Sequence, residues 1–166
     1  MSTQIWISAA YSTVYRCGGW AYVRQDQGQV SGAAGGDRHT TADRTALAGL
    51  AAALRDLPDM KAAPAVSIAT TSLELMAFSA VLAALGGATP STGPGDNLDL
   101  WAPIAASAKG RRLTVSRAAL DPHAPSAFST AWAELGRDKA KTTGAFVSAI
   151  PKANLAKVKG LVARNA

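Results

Sequence analysis

Cysteine is nearly missing from this chain: Cys17 is alone among 166 residues. A disulfide framework and a cysteine-built zinc site are thereby excluded, and Cys17 reads as a small buried thiol. Charge and aromatic rings are scarce too, at 17% and 6%, against 48% hydrophobic residues. That balance is globular and too apolar for a disordered chain. Long hydrophobic runs are also lacking. The longest, Leu75 to Leu85, is too short to cross a bilayer, so no membrane span is expected. Met1 to Ser8 has no basic segment leading into an apolar run and a cleavage site, so no signal peptide is expected. The setting expected is soluble, reducing and cytoplasmic.

What charge there is has an uneven distribution. The net charge is +6, yet ten Lys/Arg balance ten Asp/Glu up to Gly136. From Arg137 onward seven basic residues stand against one acid, Asp138. A basic tail on a neutral body points to an acidic partner, whether nucleic acid, a protein surface or an anionic membrane. The plainer alternative is a solvated tail that aids solubility.

Strand patterns run over Gln4 to Ser8, Trp20 to Arg24 and Gln29 to Ala34, separated by turn signals at Gly18-Gly19 and Asp26-Gln27-Gly28. Thr40 to Asp43 offers capping residues before a helix from Arg44 to Leu57. Its Leu47, Leu50, Ala51, Leu54 and Leu57 recur at helical spacing, and Pro58 stops it. A short strand, Val66 to Thr70, precedes an apolar helix from Ser72 to Leu85 and a Gly/Pro/Ser/Thr loop from Gly86 to Asn97. Helix Leu98 to Ala108, strand Arg112 to Arg117 and helix Ser126 to Lys141 complete the body. The order β-β-β-α-β-α-α-β-α predicts an α/β fold, a mixed five-stranded sheet with helices on both faces. Residues 1–141 form that domain, and 142–166 form a basic extension. In the extension Pro151 opens a short amphipathic helix, striped with Leu155, Val158 and Val162 among Lys152, Lys157 and Lys159.

Four segments in this order resemble bacterial type I ribonuclease H. Gly18-Gly19-Trp20 is similar to that family's Gly-Gly-Tyr turn, and Thr40-Thr41-Ala42-Asp43-Arg44-Thr45-Ala46-Leu47 to its Thr-Thr-Asn-Asn-Arg-Met-Glu-Leu. Asn97-Leu98-Asp99-Leu100-Trp101 resembles its Asn-Val-Asp-Leu-Trp, and Trp132 to Arg137 its Cys-Asp-Glu-Leu-Ala-Arg. The likeness runs from Gln4 to about Lys141 and implies an RNase H-like fold. Members of the family cut the RNA strand of an RNA–DNA hybrid with two magnesium ions held by four carboxylates. Two divalent ions about 4 Å apart need hard, negatively charged oxygen ligands.

The resemblance places those four carboxylates on Ser8, Ala46, Thr71 and Ala133. Two alanines have no ligand atom, and the two hydroxyls are neutral. Site charge falls from about −4 to zero. Neighbours Ala9, Ala10 and Thr70 depart from the family pattern as well, so the change reads as natural loss of the site. Neither a magnesium cofactor nor catalysis is expected. A relocated site on Asp43, Asp121 and Glu134 is the less favoured alternative. Against it, Asp43 reads as a helix cap, Asp121 as a turn residue and Glu134 as a solvated helix position. His123 falls where the family has a loop histidine that assists product release, and without metals it reads as exposed. His39 has no partner nameable from the sequence. Thr13 to Arg16, and Ala42 with Asp43, replace residues through which the family grips the hybrid.

Two roles remain for a shape without its chemistry. The favoured one is a structural or protein-interaction module, a subunit of a larger assembly. It would dock a partner or a second copy through Leu155, Val158, Leu161 and Val162. The other is a module that binds hybrid, duplex or single strand without cutting. Its candidate contacts are Arg16, Arg24, Arg38, Arg44, Arg111, Arg112, Lys152, Lys157 and Lys159.

Overall fold

The structure is a computed structural model that describes residues 2–55, 57, 65–84 and 97–161. Strands β1 (Ser2–Ser12), β2 (Cys17–Asp26) and β3 (Gln29–Arg38) lead into α1 (Ala42–Leu54) and β4 (Ala65–Thr70). Next come α2 (Leu73–Ala77), α3 (Ser79–Ala84), α4 (Leu98–Ala108) and β5 (Arg112–Arg117). The chain continues through α5 (Pro125–Thr143), β6 (Phe146–Ala149) and α6 (Lys152–Leu155). No helix among the described residues is long and apolar enough to cross a membrane.

One sheet holds all six strands, in the order β5-β4-β1-β2-β3-β6. β1, β2 and β3 are an antiparallel meander. Its second turn places Gln27 and Gly28 at φ 49° and 81°, the positive pair that a two-residue hairpin turn requires. β4 and β5 join parallel to β1, which demands crossovers through helices.

The expected five strands are therefore corrected to six. β6 pairs antiparallel with β3, from Gly36 opposite Phe146 to Ala33 opposite Ala149. Gly144, at φ 81°, turns the chain after α5. The outer edge of β3 there is Ala33-Ala34-Gly35-Gly36, small residues that let another backbone approach. A four-residue strand is too short to show an alternation, which is why the pattern missed it. The helix expected over Ser72 to Leu85 is interrupted at Phe78, whose ring stands edge-on to Trp101 at 5.2 Å. Pro58, Leu85 and most of the Gly86 to Asn97 loop lie outside the described residues.

Alternation along the strands makes two cores. On one face Ile5, Ile7, Val66 and Ile68 meet Leu47, Leu50 and Leu54 of α1, with Trp101 and Ile104 of α4. On the other, Ala21, Val23 and Ala34 meet Ala133 of α5, Ile150 and Leu155. Consecutive glycines serve both faces. A Cβ on Gly18 would strike Thr45 of α1, and one on Gly19 would strike the backbone of Ala133 and Arg137 in α5. This is the physical content of the Gly-Gly motif: each residue lets one helix close onto the sheet.

Candidate functional site

Ser8 sits within β1, one residue past the end of its pairing with β4, on the face shared with Trp6 and Ala10, and is 1% exposed. Its Oγ lies 2.7 Å from Ser129 Oγ, 2.9 Å from Thr130 Oγ1 and 3.0 Å from Thr71 Oγ1. Thr71 donates to Ser8, and Ser129 Oγ also reaches the Ser126 carbonyl at 3.1 Å. A serine hydroxyl has one proton and two lone pairs. Three hydroxyl neighbours match that capacity, and either oxygen can donate in the contacts of Ser8 with Ser129 and Thr130.

Local structure explains the convergence. β4 runs parallel to β1 with Thr70 beside Ile7. Thr70 Oγ1 donates to the Ile7 carbonyl at 2.9 Å, and the Thr71 N–H reaches the same carbonyl at 3.4 Å. The pair pins the chain where it leaves the sheet and delivers Thr71 to Ser8. α5 supplies the rest from its first turns. Removing the central hydroxyl takes a hydrogen-bond partner from the buried Ser129 and from the half-buried Thr71 and Thr130. We expect Ser8→Ala to cost about 1–3 kcal/mol, read as a lower urea midpoint with unchanged slope. No change in midpoint would mean that the network carries no stability.

Of the four positions assigned from the resemblance, the structure joins Ser8 and Thr71. Ala46, 0% exposed, packs with Ile5 and Ile7 in the α1-side core. Ala133, 1% exposed, packs with Ala21 and Val23 in the α5-side core. The residues that meet Ser8 from α5 are Ser129 and Thr130, one turn earlier, and the sequence reading missed them. The available signal was Ser126, Ser129 and Thr130 at helical spacing on the side of α5 that carries Ala133.

A groove of about 340 Å³ adjoins the cluster, lined by Thr71, Leu120, Asp121, Ser126, Thr130 and Glu134 among others. It collects two of the three acids considered for a relocated site, and Asp43 is not in its lining. Among the described residues no three His, Cys, Asp or Glu side chains gather as a metal ion would need. His123 and His39 are exposed, and the His123 N–H donates to Asp121 Oδ1 at 2.9 Å within the loop. Cys17 is buried.

The basic candidates are dispersed. Arg16 and Arg38 are exposed at the end of the sheet where β2 begins and β3 finishes. Arg111 and Arg112 lie at β5, on the far edge. Lys152, Lys157 and Lys159 are exposed along the tail. Arg24 is occupied by Asp26 at 2.9 Å and by the Ala53 and Arg55 carbonyls. Arg44 is occupied as well. It makes a two-pronged contact with Asp99 at 2.8 and 2.9 Å and reaches Asn97 Oδ1 at 3.1 Å, tying α1 to α4.

The hydrogen bonds from Arg44 hold the Asp99 carboxyl below its usual range, and Asp99 in turn raises Arg44. A carboxyl depressed on folding contributes stability above its unfolded pKa, and that stability is lost as pH falls through the folded value. Asp99→Asn is therefore expected to narrow the stability difference between neutral and acid pH. Urea midpoints at pH 7 and pH 3 measure it, and an unchanged difference would show the pair to be silent. Both side chains are well exposed, so the effect is small.

The docking stripe needs correction. α6 ends at Leu155, which is 7% exposed and sits in the α5-side core. Val158 and Leu161 are partly buried against that core, where Trp6, Phe128 and Trp132 also pack. These side chains cover their own sheet instead of presenting a stripe to a partner, because the face around Trp6 and Val30 would otherwise stay wet. Val162 lies outside the described residues.

No family model matches the chain, and no curated protein does. Among solved structures it is similar to the N-terminal RNase H domain of Rv2228c from Mycobacterium tuberculosis, determined as a fusion with maltose-binding protein. The TM-score is 0.55 at 19% identity, over 84% of this chain and 95% of that one. Together with the meander, the parallel β4 and β5 and the flanking helices, this likeness establishes that the chain has an RNase H-like fold.

Proposed function

We propose that this chain is a catalytically inactive RNase H-like module whose role is structural or interaction-based. The neutral hydroxyl cluster around Ser8 carries the reading. A pair of magnesium ions needs anionic oxygens with free lone pairs. The donor set here does not fit that pair: Ser8, Thr71, Ser129 and Thr130 are neutral, and the central oxygen already meets three other hydroxyls. The exposed Asp121 and Glu134 beside them are two carboxylates where the chemistry uses four. The buried lone Cys17 suits a reducing, cytoplasmic setting, which belongs to the same proposal.

The test is cleavage of a labelled RNA–DNA hybrid with Mg²⁺ and with Mn²⁺, at high enzyme concentration. No product above the protein-free blank is expected. Cleavage that disappears in Asp121→Ala or Glu134→Ala would overturn the reading in favour of a relocated site. A second reading, a non-cutting nucleic-acid binder, draws support from the exposed Arg16, Arg38 and tail lysines. The same mixtures distinguish it: hybrid retained uncut, and released as salt rises, is its signature.

A further inference from the structure

Edge strands carry a row of backbone groups with no strand beside them, and charged side chains limit what can pair there. β5 is such an edge. It pairs with β4, and among the described residues no strand lies beyond it. Leu113 and Val115 turn inward, where Val81 and Leu82 of α3 also pack. Arg112, Thr114, Ser116 and Arg117 are exposed.

Charge is one-sided here. From Leu100 to Leu120 the chain carries Lys109, Arg111, Arg112 and Arg117 and no Asp or Glu. No ion pair among the described residues involves Arg112 or Arg117. The acids around the strand are engaged elsewhere. Asp121, in the loop after β5, accepts from the His123 N–H at 2.9 Å, and Glu74 of α2 accepts from Ser72 Oγ at 3.0 Å. A cation at each end of the strand disfavours a basic chain and attracts an acidic one. The placement also selects a shape. The odd spacing between Arg112 and Arg117 puts them on opposite faces of the sheet, about 17 Å apart along the strand. A ligand laid on one face meets only one of them. An extended peptide in the plane of the sheet meets both, because a paired residue projects on the same face as the residue it opposes.

We propose that the β5 edge takes an extended acidic peptide of a partner protein, added antiparallel as a further strand. Its two carboxylates lie opposite Arg112 and Arg117. Backbone bonds supply the affinity, and the two ion pairs set the register. The proposal names the partner class of the interaction-module reading and rests on it. The two fail separately. A chain that neither cuts hybrid nor binds such a peptide is an inactive module without this partner. A chain that cuts hybrid and binds the peptide loses only the inactive reading.

The probe is a fluorescein-labelled peptide with blocked ends, Glu-Thr-Val-Thr-Val-Glu, titrated with the full chain and followed by fluorescence anisotropy. Its glutamates fall opposite Arg117 and Arg112, and its threonines opposite Ser116 and Thr114. Saturable binding is expected. Glutamine at both ends should weaken it about tenfold, and Pro-Pro in place of the central Val-Thr should abolish it. The Arg112→Glu/Arg117→Glu chain should lose the acidic probe and bind Lys-Thr-Val-Thr-Val-Lys, which the wild type refuses. That exchange also shows the variant to be folded. A wild type that does not bind the acidic probe overturns the proposal, as does equal binding of the glutamine-ended probe. Equal binding of the Pro-Pro probe overturns it as well, since only attraction between charges would remain. An oligothymidylate that binds through these two arginines where the peptide does not would assign the edge to nucleic acid and overturn it too.

Discussion

A chain ending at Thr143 is expected to unfold at a far lower urea concentration than the full chain. The cut removes β6 and with it the pairing along Ala33 to Gly36. It also removes Ile150 and Leu155, which are 4% and 7% exposed, and the partly buried Val158 and Leu161. Each fully buried aliphatic side chain contributes about 1.5–3 kcal/mol. The two buried residues, with the newly wet surface around Trp6 and Phe128, bring the expected loss to about 5 kcal/mol. Small domains have only about 5–15 kcal/mol in total. Urea titrations followed by circular dichroism measure the difference. A truncated chain with the midpoint of the full one would show that the last segment is an appendage after all.

Gly19→Ala is expected to be nearly as damaging, by a different route. The added methyl meets backbone atoms of Ala133, Gly136 and Arg137, and backbone cannot rotate aside as a side chain can. Gly136 is itself close against the Gly35 carbonyl, so α5 has no slack on that line. Lifting the helix loosens the whole α5-side core, at a cost of about 3 kcal/mol or more. Gly18→Ala should cost less, because the obstacle there is the Thr45 side chain. Ala131→Ser, on the exposed side of α5, should stay within about 0.5 kcal/mol. Equal midpoints for Gly19→Ala and Ala131→Ser would refute the close-packing account.

Much of the body was legible because its signals are local. Leucines at helical spacing marked α1, and β5 is found over Arg112 to Arg117 as its alternation indicates. The glycine pair and the Thr-Thr cap were visible as types, and Thr41 does cap α1 through Arg44 N–H. The site was legible in half. Ser8 and Thr71 could be placed by analogy, whereas Ser129 and Thr130 could not. Their role depends on how far α5 slides along β1 and β2, which is set by glycine contacts between segments distant in sequence. The tail was misread for a related reason. Apolar residues among lysines look the same whether they await a partner or cover their own sheet.

By itself, the chain of residues determined the α/β order, the apolar faces that build two cores, and the absence of carboxylates at Ser8, Ala46, Thr71 and Ala133. These follow from short-range periodicity and from side-chain chemistry. Tertiary structure alone decided the sixth strand, the burial of Leu155, the capture of Arg44 by Asp99 and the closure of three hydroxyls around the Ser8 oxygen. Each depends on distances between segments tens of residues apart, and such distances are set by packing of the whole sheet against its helices.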